Sequence, residues 1–303
     1  MYSTLSRRNF LGALAALSAG HFLPTSAHSG ESVDWFRISL AQWSFKNAFY
    51  SGEMKNEALP EFTKVQLGLE GIDYLSDFWL DSYRDLRVMS AMKQRAADWG
   101  IENLMIMLHK VGDVAHGDPK ERQRILDDHR YWIEAAHAMG CSMIRVNARS
   151  AGTRQQQLEL ISESIRSLCE FSSPMGVDII IENLWGTPYS HNAQFIMEVV
   201  NKVDHPRCGT LPDFNNFRYD DPYQSVALMV PSARSLSAKS LDFTPTGLEK
   251  YIDYHRMLKI AYDGGYRGFI GIEWEGCKKP PLEGVLLTRA LLMTAGATVG
   301  GTG

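Results

Sequence analysis

The stretch Asp178-Ile-Ile-Ile-Glu-Asn-Leu-Trp-Gly186 runs three isoleucines together and then turns polar at an acid and an amide. A short, wholly apolar, β-branched run reads as a strand buried on both faces, because a half-exposed strand alternates apolar with polar residues. Two other stretches share the design. Cys208-Gly-Thr-Leu-Pro-Asp-Phe-Asn-Asn-Phe217 sets Asp213 just past its run, and Gly268-Phe-Ile-Gly-Ile-Glu-Trp-Glu-Gly276 sets Glu273 near the end of its own. Working outward from these three (178–182, 208–211, 269–274), the same reading finds strands at 37–43, 71–75, 103–108, 143–147 and 234–239.

Helical patterns lie between the strands, at 81–99, 119–139, 154–175, 189–203, 248–261 and 284–294. Leu158, Ile161, Ile165 and Leu168 make one apolar stripe in the third of these. Eight strand–helix alternations predict an α/β fold, a single-domain (β/α)8 TIM barrel. An open doubly wound sheet would carry a glycine-rich phosphate turn after its first strand, and here that strand ends Ala41-Gln-Trp-Ser-Phe45.

The N-terminus reads differently. Ser6-Arg-Arg-Asn-Phe-Leu11 is a twin-arginine pattern, followed by an apolar stretch to Leu23 and the small residues Thr25-Ser-Ala27. That layout predicts an export signal over 1–27, with the barrel over 28–303 and delivery to the periplasm by the twin-arginine pathway. The stretch is too short to span a bilayer, which takes about 20 residues. No later run reads as a membrane span, so no stable membrane association is expected once the signal is removed. A formal charge of −4 and 45 % hydrophobic residues suit a soluble enzyme and offer no basic surface for nucleic acid. The cysteines, Cys141, Cys169, Cys208 and Cys277, lack CxxC spacing. The first three sit in or beside apolar stretches and read as buried thiols.

In a barrel the chemistry gathers at the C-terminal ends of the strands. Taken strand by strand, that rim carries Gln42 and Trp43; Asp73, Asp77, Phe78 and Trp79; His109; Arg145 and Asn147; Glu182 and Asn183; Asp213, Asn215 and Asn216; Ser237 and Lys239; Glu273 and Glu275. Of the last two, only one is expected to point inward, and the matching Ile-Glu contexts favour Glu273. Converging Glu182, Asp213 and Glu273 would repel one another unless a cation or a shared proton relieved them. One divalent metal is therefore expected on these three acids. Mn²⁺ or Mg²⁺ suits the oxygen donors, with Co²⁺ or Zn²⁺ admitted if an imidazole joins. Two of these acids also have a plainer reading: Glu182 as the ion-pair partner of Arg145, Asp213 as a turn cap. The amides and aromatics suit a small carbohydrate ligand, with Trp43, His109, Arg145, Asn147, Asn183 and Asn215 as candidate contacts.

Ile180-Ile-Glu-Asn183, Gly209–Phe217, Ser237-Ala-Lys-Ser240 and Gly264–Gly276 together resemble the xylose-isomerase-like TIM barrels, also called the sugar phosphate isomerase/epimerase or AP-endonuclease-2-like family. The chain looks like an exported, twin-arginine subgroup of it, and a homo-oligomer is compatible with the resemblance. In the family a glutamate, an aspartate, a histidine and a glutamate on the last four strands bind one divalent ion. The matching positions are Glu182, Asp213, Ser237 and Glu273, so the histidine is replaced by serine with Lys239 beside it. Three carboxylates with water, His109 as a fourth ligand, or the Lys239 ammonium in place of the ion are the arrangements this leaves. The resemblance implies a sugar or keto-sugar isomerase or epimerase in which Glu182 and Glu273 move a proton next to a carbonyl and Lys239 assists. The alternatives are a lyase cleaving keto-glycosides by β-elimination and a non-catalytic periplasmic sugar-binding barrel.

Overall fold

The computed structural model describes residues 33–217 and 220–300; the expected export signal lies outside them. Nine strands form among the described residues: β1 Arg37–Ala41, β2 Gly71–Leu75, β3 Glu102–Met107, β4 Asp113–Ala115, β5 Met143–Ser150, β6 Asp178–Glu182, β7 Cys208–Leu211, β8 Leu236–Ser240 and β9 Phe269–Trp274. All pair in parallel in the order β7-β6-β5-β3-β2-β1-β9-β8, with the short β4 added beside β5. Isolated bridges, Thr210 to Ala233 and Asp213 to Ser237, join the two ends. There Ser237 N–H donates to Pro212 O at 2.9 Å and Phe214 N–H to Ser237 O at 3.0 Å. The eight expected strands are all present, and β4 is an addition.

The helices follow the strands. They are α1 Lys46–Tyr50, α2 Leu59–Val65, α3 Leu86–Asp98, α4 Pro119–Met139, α5 Arg154–Ser172, α6 Ala193–Val203, α7 Pro222–Met229, α8 Tyr254–Asp263 and α9 Pro281–Gly300. Side-chain caps fix the starts. Asp85, Asn192 and Asp253 accept backbone N–H groups at the heads of α3, α6 and α8, and Thr153 with Gln156 forms a capping box on α5. These caps begin α3, α6 and α8 several residues later than the apolar pattern implies. α1, α2 and α7 are not among the helices the apolar pattern predicts, because helices this short offer little periodicity. One further correction concerns α9, which is long and apolar enough to cross a membrane by length and composition. Its Val285, Leu291, Leu292, Ala295 and Val299 are buried in the main core, the packing of a core helix.

The strands split their side chains by parity. Ile179 and Ile181 face outward into the core beneath the helices, whereas Ile180 faces inward with Ala41, Leu75, Met105, Met107, Met143, Leu211 and Phe269. Arg145, Glu182, Asp213 and Glu273 share the parity of that inner set and sit further along toward the C-terminal mouth. The inner plug is therefore the floor of the site. Gly271 leaves room in this layer for Asp73, because a Cβ there would collide with the Asp73 carboxyl. Cys141, Cys169 and Cys208 are buried and Cys277 is exposed.

Candidate active site

Glu182, Asp213 and Glu273 meet at one mouth, with a carboxylate oxygen from each lying within 4.8 Å of the others. All three are buried, Asp213 completely. Strand register brings in their partners. Lys239 stands opposite Glu273 in the β8–β9 ladder, and Ser237 opposite Asp213 across the barrel closure. Lys239 Nζ lies 3.0 Å from Glu273 Oε1, 3.6 Å from Asp213 Oδ2 and 3.2 Å from Glu275 Oε2. It also donates to Asn216 Oδ1 at 3.0 Å. Asn216 Nδ2 donates in turn to Glu182 Oε1 at 3.0 Å, so one amide ties the Lys239 and Glu182 sides together. Arg145 Nε lies 3.0 Å from Glu182 Oε2, an ion pair in contact without a well-aligned hydrogen bond. The plainer reading of Glu182 as a partner of Arg145 thus coexists with its place in the cluster. So does that of Asp213 as a turn cap, since its Oδ1 accepts Asn215 N–H at 2.9 Å.

Burial sets the protonation of these groups. It pushes the Asp213 carboxyl up to about 8, against the pull of Lys239. It also raises Glu182 above the usual glutamate range, with Arg145 opposing. Burial would lower Lys239, but Asp213, Glu273, Glu275 and Glu182 outweigh it and hold the ammonium charged. Below the cluster, burial lifts Asp73 to about 7 while the Ser39 hydroxyl, donating at 2.8 Å, works the other way. A crowd of acids whose ionisation is displaced toward neutrality is suited to moving protons at physiological pH.

Three expectations about this half need correcting. Glu275 points inward as well as Glu273, because residues two apart in an extended chain share a face. Asn183 does not face a ligand: it is fully buried, donating to Asp213 O at 3.0 Å and accepting Asp213 N–H at 2.7 Å, and so positions the aspartate. Asn147 is likewise used up, donating to His109 O at 2.9 Å and accepting from Arg145 Nη1 at 3.0 Å. Asn215 is half-buried, its backbone N–H held by Asp213 and its Nδ2 buried without a hydrogen-bond partner.

The other half of the mouth is aromatic and more open. The Trp43 indole N–H donates to Glu275, its ring meets that of His109 edge-on at 5.1 Å, and Lys46 Nζ lies over it at 4.3 Å. His109 Nδ1 lies 3.1 Å from Asp77 Oδ2, which also takes Tyr50 Oη at 2.6 Å and Lys110 Nζ at 3.0 Å. Burial alone would raise Asp77, but these donors outweigh it and hold its carboxyl well below the usual range. His109 is therefore turned to Asp77 and is not among the clustered ligand atoms. Glu275, Asn216, Asp77 and Lys46 belong to the site; the first three stand on the expected rim without an assigned role, and Lys46 is not on it. Three of them stand within three residues of chosen residues, which was the available signal.

The donor set fits a hard divalent cation. Oxygens on one Mg²⁺ span up to about 4.2 Å, so the three carboxylates need close only slightly to hold one. The fourth corner is poorer, since the Ser237 hydroxyl donates to Asp213 Oδ2 at 2.8 Å.

This architecture, with its acids on the last strands of a parallel barrel, defines an α/β-barrel of enzyme type. Residues 65–292 match the Xylose isomerase-like TIM barrel family, and the chain belongs to it. No curated protein matches the chain in sequence. Among solved structures it is similar to D-psicose 3-epimerase from Clostridium cellulolyticum H10, determined with D-tagatose, at 15 % identity and a TM-score of 0.68, covering 88 % of this chain and 98 % of the other. L-ribulose 3-epimerase aligns at 12 % identity and a TM-score of 0.71, covering 88 % and 96 %. A xylose isomerase-like TIM barrel protein from Mycobacterium smegmatis, in complex with magnesium, aligns at 18 % identity and 0.65, covering 88 % and 99 %. At such identities the likeness establishes the fold.

Proposed function

We propose that the protein is a sugar or keto-sugar isomerase or epimerase that moves a proton beside a carbonyl. The observation that carries this reading is the pair Glu182 and Glu273. They rise from β6 and β9 into one buried mouth with oxygens within 4.8 Å of each other, and each is paired with a cation. Two glutamates so placed can take a proton from one face of a carbon and return it to the other. The raised Glu182 carboxyl suits that exchange near neutral pH. Lys239 and Arg145 place positive charge where an enediolate oxygen develops, in a site closed to water on its floor. The half-buried Trp43 offers an aromatic surface to a sugar's ring face. A divalent cation held by Glu182, Asp213 and Glu273 would supply Lewis acidity to a carbonyl and its neighbouring hydroxyl. Likeness to two sugar 3-epimerases and to a magnesium complex supports a small carbohydrate and such an ion.

The test is deuterium wash-in. Incubated in D₂O with a panel of ketohexoses and ketopentoses, with Mn²⁺ or Mg²⁺ added, the protein should label the carbon beside the carbonyl. Glu182→Gln and Glu273→Gln should each lose about 10³-fold or more of that exchange while still binding sugar. Full exchange in both variants would refute the reading, and no exchange with retained sugar binding would favour a binding barrel.

A second reading, β-elimination from a keto-glycoside, is favoured by one observation. The Asp77–His109 pair sits across the mouth from the carboxylates, where a proton donor to a departing alkoxide would be useful. Product analysis with oxidised glycosides separates the two. The twin-arginine segment, Ser6-Arg-Arg-Asn-Phe-Leu11, supports export to the periplasm. Replacing Arg7 and Arg8 with lysine should keep the protein in the cytoplasm, as cell fractionation would read.

A further inference from the structure

Lys239 is the group in this mouth whose position bears most directly on any incoming cation. Its ammonium is buried and its ion pairs form a fork. On the inner side stand Glu273 at 3.0 Å and Asp213 at 3.6 Å, two of the three carboxylates able to hold a divalent ion. On the outer side stand Glu275 at 3.2 Å and the Asn216 carbonyl at 3.0 Å, neither of which belongs to that trio. The Lys239 backbone is pinned, because its carbonyl accepts the buried Tyr254 hydroxyl at 3.0 Å and its strand is paired with β9. The flexible stem alone can move the charge from one side of the fork to the other.

Counting charge shows why this matters. Glu182, Asp213, Glu273 and Glu275 face Arg145, Lys239 and Lys46. Fully ionised, the cluster carries one excess negative charge. A divalent ion would turn that into one excess positive charge, in a place where like charges are poorly screened. Without the lysine, the same ion would bring the cluster to neutrality. The Ser237 hydroxyl, already committed to Asp213, does little to strengthen the ion's hold.

We propose that Lys239 is the resident cation of the acidic cluster and competes with a divalent metal for Asp213 and Glu273. In the metal-free protein the ammonium holds the carboxylates together. Metal enters only as Lys239 withdraws to Glu275 and Asn216. Binding is consequently weaker than three converging carboxylates would otherwise give, and the fold does not depend on the ion. This inference concerns the site assigned above but is read by metal binding, whereas the catalytic reading is read by the Glu182 and Glu273 variants, so either can fail alone.

The experiment is Mn²⁺ titration by calorimetry and electron paramagnetic resonance on the purified protein, Lys239→Met and Lys239→Arg. Lys239→Met should bind Mn²⁺ tighter by about tenfold or more, and Lys239→Arg should stay within about threefold of the unaltered protein. Unchanged or weaker binding in Lys239→Met overturns the proposal. Melting of the unaltered protein gives an arm independent of any variant. Its Tm in EDTA should match that of untreated protein within about 2 °C, and unfolding on chelation overturns the proposal, because a site organised by metal loses stability when the metal leaves.

Discussion

The two halves of the barrel mouth handle charge in opposite ways. On the β5 to β9 side, four carboxylates and two cations are interlocked and mostly buried, each ion reaching at least one opposite charge. On the β1 to β3 side, Trp43, His109, Asp77, Tyr50 and Lys110 form a looser group, with His109 36 % and Lys110 61 % exposed at their side chains. Burial strengthens every interaction in the first half and makes each unpaired ion costly. Water reaches His109 and Lys110 in the second half, around an Asp77 carboxylate that is itself buried, so those two groups can change partners when a ligand arrives. The first half is built for displaced protonation, the second for contact with what enters.

Breaking one fully buried ion pair and one that reaches from the buried cluster to the half-exposed Lys46 tests this contrast. Arg145→Met strands Glu182 in the interior with Asn216 as its remaining polar partner, and should cost about 3–5 kcal/mol in denaturant unfolding. Lys46→Met removes an ion 3.7 Å from Glu275 whose side chain is 28 % exposed. That pair is worth about 0–1 kcal/mol. Equal losses in the two variants would mean that the mouth is not divided by burial as described.

A second contrast is pH. Asp73 is a carboxyl raised by burial to about 7, from 3.8. A raised acid favours the fold below its unfolded value, and that advantage disappears as pH climbs through the folded value. Relative to Asp73→Asn, measured in EDTA, the unaltered protein should lose on the order of 2–3 kcal/mol of stability between pH 5 and pH 8, as its folded state goes from holding the proton to carrying the buried charge. A stability difference that does not vary with pH would show that Asp73 does not titrate in this range.

How far these halves could be read in advance follows from the physics of each signal. Isoleucine runs such as 179–181 mark buried parallel strands regardless of context, so the eight barrel strands and the inward acids were legible. Helix starts were not, because apolar loop residues such as Tyr189 and Leu248 extend the helical pattern ahead of the caps Asn192 and Asp253. Asn147 and Asn183 have the residue type of sugar-binding amides, and composition cannot say that their partners are Arg145 and the Asp213 backbone. The Lys239 fork was legible as far as its side of the strand, two residues from Ser237. Its ties to Glu275 and Asn216 depend on the register of β8 with β9 and on a loop path that no local pattern encodes.

One more test lies in the open half and bears on which reaction the mouth performs. Asp77 holds His109 by Nδ1, which leaves the other ring nitrogen free in a half-exposed imidazole. If that nitrogen hands a proton to a departing alkoxide, His109→Gln should slow keto-glycoside cleavage by about 10²-fold. It should leave proton exchange on a simple ketose nearly unchanged. Asp77→Asn should slow the same step, and should add little in the His109→Gln background, because two residues acting as one unit are not additive. Independent losses would separate Asp77 from His109. A His109→Gln loss shared equally by cleavage and ketose exchange would place the imidazole in substrate binding, and the aromatic half would then serve the isomerase reading rather than the lyase.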